Sequence, residues 1–477
     1  MVKATRFSAV LLGLTALGLC ASSVPAFAEV QDVKVGGDVT TRAFVRTNLD
    51  LQDGGLDGTA STLDDHDRFI QLTTGLNVAA NLTENVAAGL RLANETTYGA
   101  KAAAGSDFAV SQAWVRLKEL FYSPLTVTLG RQPIWWGRGF IIGSGLLPNI
   151  RAATAGDLHG SIAADEYTDF TAVDAMRAQL DFQGAAAVDL PLLLDFVYIK
   201  QAEGTVGIAD DVNIVGVNAG TKLDAAEFET YFVNKRDRSD ISATLQPAGY
   251  IENHGSVNTL GVRGSAAPIE GSSVFGELAY QFGTRVTDPA GILSAGDRHQ
   301  AWAANFGAEF GAKDVPTSPM LGGEWIWYSG SDVEGATAGW NSILPGYFRT
   351  ALRQFQSTGF YVPTQTCVVA GTTSAANCTG SDTNQHELAL YGSMTPLEDL
   401  TIAPRLSWFI LDNGVIPIAG SKRRSFAGTE WDTQVTYNYT SDVQFGVLYA
   451  AFFPGSVYRT PSDAVAQELV TTVGVKF

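Results

Sequence analysis

The chain is poor in cysteine and in positive charge, and its body has no long apolar run. Its 477 residues include 3 cysteines, and 31 Lys and Arg face 49 Asp and Glu, for a net charge of −18. This acidity argues against a nucleic-acid partner and against binding an anionic surface through a basic patch. Beyond residue 28 there is no apolar run of the roughly 20 residues that a membrane-spanning helix needs. A Cys-x-x-Cys-His haem attachment motif is also missing.

The N-terminus has the three parts of a secretory signal. Lys3 and Arg6 precede an apolar stretch from Val10 to Ala21, and Ala26-Phe27-Ala28 is an A-x-A cleavage site before Glu29. We therefore predict a signal peptide at 1–28 and a mature domain at 29–477. An exported chain without a spanning helix is periplasmic, secreted, or a β-barrel of the Gram-negative outer membrane.

Composition and periodicity favour the barrel. Fifty glycines, 25 phenylalanines and 15 tyrosines suit many short strands joined by tight turns. In the last segment, Leu469 to Phe477, every second residue is apolar or Thr, which is the period of a strand with one apolar face. Eighteen such segments alternate with short turns and longer polar loops. The sequence thus predicts an all-β fold, a transmembrane antiparallel up-and-down β-barrel of 18 strands, with 16 as the runner-up.

When the alternation of apolar and polar residues is continued along each predicted strand, the face opposite the apolar one carries many charges and is predicted to line the lumen. Besides other acids and lysines, the candidate pore-lining residues on this face are Arg42, Arg46, Arg91, Arg116, Arg177, Asp181, Arg263 and Arg405. A charged lumen wall is ordinary for any wide barrel, and the alternative is a selectivity lining that orders charged solutes. The mixed signs indicate neither cation nor anion selectivity.

Aromatic residues cluster near the predicted strand ends. They are interpreted as girdles at the two membrane interfaces, with sugar-stacking sites in the lumen as the alternative. The set is Trp135, Trp136, Trp325, Trp327, Tyr328, Trp408, Trp431, Tyr437, Phe452 and Phe453.

Two long loops are singled out. Ser144 to Thr171, after a predicted fifth strand from Leu125 to Ile142, has little periodicity and is our candidate for a constriction loop folded into the lumen. Asp332 to Asn384 holds Cys367 and Cys378, and an oxidising compartment favours a local disulfide between them over two unpaired thiols.

Two short stretches carry a resemblance to a known family. The segment from Leu129 to Phe140 contains Gly-Arg-Gln followed by an aromatic-Gly piece, and Phe170 to Arg177 follows the long loop. Both are similar to segments of the alginate-export porin family. The resemblance implies an eighteen-stranded outer-membrane channel with an arginine-lined constriction for a polyanionic polysaccharide. Arg131, Arg138 and Arg177 are the matching positions.

The function predicted from all this is a porin-like outer-membrane channel for passive passage of hydrophilic, charged solutes or polysaccharide. The alternative is a barrel that sheathes a periplasm-to-surface protein conduit, such as a multihaem cytochrome complex whose haem the partner would bring. The five histidines fall in loops or at strand ends without a serine in a recognisable arrangement, so no enzyme is predicted. No cofactor or metal is expected. The predicted partners are outer-membrane lipid and lipopolysaccharide, small hydrophilic solutes or a polyanionic polysaccharide, and, in the sheath alternative, a periplasmic or surface protein, but no nucleic acid.

Overall fold

The structure is a computed structural model. It describes residues 32–49, 51, 66–99, 108–122, 124–144, 167–183, 191–203, 211–238, 255–285, 297–312, 314–330, 339–344, 346, 349–353, 367–369, 372–374, 383–415, 422–458 and 463–477. The predicted signal at 1–28 lies outside these residues. So does Cys378, and of Cys367 only the backbone is described, so the predicted disulfide is not tested.

In the described part of the chain, twenty strands make up nearly all of the regular structure. They are β1 (Asp32–Thr47), β2 (His66–Asn81), β3 (Val86–Thr97), β4 (Ala109–Leu117), β5 (Leu125–Gln132), β6 (Val173–Asp181), β7 (Leu192–Ala202), β8 (Val212–Lys222), β9 (Ala226–Asp237), β10 (Gly255–Ala266), β11 (Ser272–Arg285), β12 (Asp297–Gly311), β13 (Met320–Tyr328), β14 (Cys367–Val369), β15 (Thr372–Ser374), β16 (Gln385–Leu397), β17 (Leu400–Val415), β18 (Arg424–Asn438), β19 (Val443–Pro454) and β20 (Ala466–Lys476).

Eighteen of these strands form one closed antiparallel barrel. Consecutive barrel strands pair with one another, and β1 pairs with both β2 and β20, so that the sheet has no free edge. β14 and β15 form a separate two-stranded hairpin. Closure is what allows strands to cross a membrane, because an unpaired backbone group in hydrocarbon costs several kcal/mol. The predicted fold and its count of 18 strands are confirmed.

The two faces of the barrel differ in polarity, as the period of two predicts. In β20, Val470 points inward and is 1% exposed, whereas Leu469 beside it points outward and is 37% exposed. Large apolar residues such as Leu260, Phe306 and Trp431 are likewise exposed on the outer face. No helix in the part of the chain that the structure describes is long and apolar enough to span a membrane.

Short connections lie at one end of the barrel and long ones at the other. Turns at 82–85, 223–225, 267–271 and 439–442 share the end where the described chain starts and finishes. Among the described residues, the segments that enter the lumen come from the long-loop end, after β5 and after β13.

Candidate functional site: an inner layer across the lumen

The chain leaves the barrel wall after β5. The predicted fifth strand, Leu125 to Ile142, is wrong in its second half, because β5 ends at Gln132. Pro133 has no amide hydrogen to donate to a neighbouring strand, and Gly137 (φ 53°) and Gly139 (φ 74°) adopt the left-handed turn conformation. Residues 134–144 therefore fold back on themselves as a hairpin inside the barrel, here called the inner hairpin.

Local hydrogen bonds close the inner hairpin. The Trp136 amide donates to the Ile142 carbonyl at 2.9 Å, and the Gly139 amide donates to the Trp136 carbonyl at 2.9 Å. At its base, the Ile134 amide donates to the hydroxyl of Ser144 at 2.5 Å. These bonds satisfy backbone groups that no longer pair with the wall.

One side of the inner hairpin packs on the wall. Ile134, Trp136 and Phe140 are buried there. The Trp136 indole N–H donates to the Asp195 carboxylate of β7 at 2.9 Å, and the Phe140 ring stacks on Tyr328 of β13 with centroids 5.4 Å apart. The hairpin is therefore fixed across the inner face from β7 to β13.

A second segment, made of the described residues 339–344, 346 and 349–353, pairs with the inner hairpin and is called the inner strap. The Gly143 amide donates to the Leu344 carbonyl at 2.7 Å, and the Leu344 amide donates to the Ile141 carbonyl at 3.0 Å. A Cβ on Gly143 would lie 2.3 Å from the Gly346 Cα, so this contact requires glycine. Together the two segments form one inner layer.

The far end of the inner strap reaches the opposite wall. The amides of Leu352 and Arg353 both donate to the buried Glu430 carboxylate of β18, at 2.6 and 2.7 Å. The Arg353 guanidinium donates to the Tyr458 hydroxyl at 2.6 Å and to the Gln385 side chain at 3.1 Å. The inner layer thus extends from the end of β5 to β18.

The predicted constriction loop, Ser144 to Thr171, is described only at its ends. Near its second end, Asp169 accepts two hydrogen bonds at 2.8 Å from Arg91 of β3, and the Tyr167 ring packs edge-on against Phe44 of β1. This end lies on the inner wall, while residues 145–166 are outside the described part. The inner layer itself comes from stretches that the sequence assigned to a strand and to another loop.

Nine of the ten predicted site residues lie inside the barrel, eight of them placed there by strand register. Arg138 lies in the inner hairpin, and the inner face of the wall carries Arg42, Arg46, Arg91, Arg116, Arg177, Asp181, Arg263 and Arg405. The structure distributes them around the wall and along its height rather than gathering them into one ring.

Arg131 is the exception, and its predicted place in the constriction is wrong. It pairs in register with Asp174 and donates to that carboxylate at 2.8 and 2.9 Å. Arg131 shares a face with the exposed Leu129, which is the outer one. The alternation of β5 sets this orientation, because Thr128, one residue before Leu129, faces Arg177 inside.

Several inner arginines are held by acids that face them inside the barrel. Arg405 contacts Glu387 at 2.5 Å and Glu324 at 2.8 Å. The other close pairs are Arg46 with Glu468 at 2.5 Å, Arg177 with Asp195 at 2.6 Å, Arg263 with Glu229 at 2.5 Å, and Arg138 with Glu309 at 3.2 Å. Each pair reduces the field that its arginine would exert on a passing anion. The sequence named these arginines but not their pairing, which depends on strand register.

The aromatic residues divide between the two faces. Trp431, Tyr437 and Phe453 are exposed on the outer face, where a girdle requires them. Trp136, Tyr328 and Phe452 are buried inside, so their assignment to a girdle is wrong. Trp136 is buried because the chain has left the wall before this residue. Tyr328 and Phe452 are buried because they occupy positions of β13 and β19 whose side chains point inward.

No family model matches the chain, and no curated protein matches it. Solved structures of similar shape include OccK3 (OpdO) of Pseudomonas aeruginosa, which is 11% identical with a TM-score of 0.49 over 94% of this chain and 96% of that one. The Salmonella typhi OmpF complex with daunomycin is 10% identical, with a TM-score of 0.42 over 93% and 97%. At such identities and scores these likenesses carry no weight for function, and the barrel is established by its own strand pairing.

Proposed function

We propose that this protein is a passive outer-membrane channel for hydrophilic solutes, narrowed by the inner layer. The observation that carries the proposal is a closed barrel of 18 strands with an apolar outer face and a polar, ion-paired inner face. A barrel of about eight strands fills with its own side chains, whereas one of 16 to 18 strands encloses an aqueous passage. Here the inner hairpin and the inner strap, rather than side chains of the wall, reduce the width of that passage.

The solutes are expected to be of low net charge. Arg138 and Arg177 are each paired with a carboxylate, and Arg131 lies outside. An arginine-lined constriction for alginate, which the family resemblance implies, therefore finds little support in the geometry. Paired charges still order water and hydroxyl groups, and this suits neutral polar solutes.

The channel is favoured over a sheath for a protein conduit. The inner layer runs from β5 to β18 and occupies part of the cross-section that a protein partner would need. A non-enzymatic role fits the described histidines: His299 contacts the Gln281 amide oxygen, and His386 contacts Asp412 and Trp325 on the outer face.

Conductance in planar bilayers tests the proposal. The purified full-length barrel should give steady single-channel currents, with a reversal potential near zero under a salt gradient because several lumen arginines are paired with acids. Heat-denatured protein is the control. A folded, heat-modifiable barrel that inserts but conducts no current would overturn the channel and favour the sheath.

A further inference from the structure

Trp135 stands apart from the other residues of the inner hairpin. Its neighbours Ile134 and Trp136 are buried against the wall, whereas Trp135 keeps 42% of its surface exposed. Trp135 pairs with Gly143 as an extended bridge, and successive side chains of an extended chain point in opposite directions. Its indole therefore faces away from the wall, toward the open part of the lumen.

Backbone contacts hold this indole in place. A Cβ on Gly139 or on Gly346 would lie 2.4 Å from the ring, so that the ring lies directly on the backbone of both inserted segments. The indole N–H donates to the Gly137 carbonyl at 3.2 Å. With its polar edge engaged and one side packed on glycine, the ring presents an apolar, immobilised surface to water in the lumen.

An accessible ion pair is formed by another residue of the inner hairpin, Arg138. Arg138 precedes Gly139, stacks its guanidinium 3.8 Å from the Phe275 ring centroid, and contacts Glu309 at 3.2 Å. The Tyr391 hydroxyl donates to Glu309 at 2.7 Å. The Arg138 and Glu309 side chains are 35% and 27% exposed, whereas those of a closed pair such as Arg46 and Glu468 are 1% and 2% exposed. Donors and acceptors on the inner hairpin and on β12 therefore remain available to a solute in the lumen.

We propose that Trp135, Arg138 and Glu309 form a saccharide-binding site in the channel, an inference that rests on the proposed function. One face of a pyranose ring carries C–H groups that stack on an indole, while its hydroxyls donate to carboxylates and accept from guanidinium groups. A purely aromatic solute would use only the ring, and a simple ion would meet a pair that is already neutralised. A neutral oligosaccharide uses all three residues.

The test is single-channel current in the presence of maltohexaose. Each sugar held at the site should interrupt the current briefly, and the frequency of interruption should rise with sugar concentration. Trp135→Ala should shorten the mean interruption by about tenfold, which corresponds to about 1.4 kcal/mol. Trp431→Ala, which removes an exposed tryptophan from the outer face, is the matched control and should leave the interruptions unchanged.

The outcomes separate this inference from the proposed function. A wild-type barrel without current overturns the channel itself, whereas steady current that maltohexaose never interrupts overturns only the saccharide site. Interruptions of equal length in wild type and Trp135→Ala also overturn the site. If Trp135→Ala changes the resting conductance, the Arg138→Gln variant is measured instead. Interruptions shorter than in wild type would then support the site, and interruptions of unchanged length would overturn it.

Discussion

The barrel is closed by a seam between β1 and β20 and narrowed by the inner layer, and different kinds of contact hold these two regions together. At the seam, β1 and β20 pair residue by residue over a regular register, and the Arg46–Glu468 pair is sealed between them. In the inner layer, the described residues of the hairpin and the strap share a few backbone hydrogen bonds and meet where glycine permits close approach. The comparison shows that side-chain alternation specifies the wall, whereas backbone contact specifies the layer.

The largest effect should come from breaking the seam. Glu468→Ala leaves the Arg46 guanidinium buried without its carboxylate, and removing one partner of a buried pair typically costs about 3–5 kcal/mol. We expect a clear drop in the urea concentration at which the barrel unfolds, followed by tryptophan fluorescence in detergent. The double variant Arg46→Met with Glu468→Leu should recover much of the loss. If the single variant unfolds like wild type, the pair does not stabilise the seam.

A smaller effect, confined to the layer, should follow from Gly143→Ala. The added methyl would approach the Gly346 Cα to 2.3 Å, and such overpacking costs about 1–3 kcal/mol. We expect higher or noisier single-channel conductance with an unfolding midpoint close to wild type. Gly474→Ala is the control, since the nearest atom to its Cβ would be 3.7 Å away. A large loss of barrel stability in Gly143→Ala would show that wall and layer are not separable.

The Arg138–Glu309 ion pair should affect the ion selectivity of the channel without affecting the stability of the seam. Arg138→Gln removes a positive charge and leaves Glu309 accessible in the lumen. The reversal potential under a salt gradient should shift by a few millivolts toward cation preference, and the shift should shrink in high salt because exposed charges are screened. A shift toward anion preference would contradict this geometry.

The smallest effect is expected outside the barrel. Arg131 and Asp174 form an exposed pair on the outer face, and such pairs contribute about 0–1 kcal/mol. Arg131→Gln should leave both the conductance and the reversal potential as in wild type. A selectivity change comparable to that of Arg138→Gln would place Arg131 in the lumen and restore the constriction that the family resemblance implies.

The sequence was sufficient to predict the wall because each strand repeats the same alternation. Val470 and Leu469 show it directly, and the inward parity of Arg177 and Arg263 follows from the same rule. The rule misplaced Trp136 because it extrapolated through Pro133, where the chain leaves the sheet. The pairing of Gly143 with Leu344 could not be predicted from the sequence, since neither segment has a periodic pattern that indicates its partner.

The bridge between Ile142 and Leu344 also bears on the order of assembly. These residues are about 200 positions apart in the chain, so their contact closes a very long loop and is entropically costly until the wall has brought its ends together. The same holds for the bonds from Leu352 and Arg353 to Glu430 on β18, which is among the last strands to be synthesised. We therefore expect the barrel to enter the membrane as a wider pore and to narrow only once its circumference is complete.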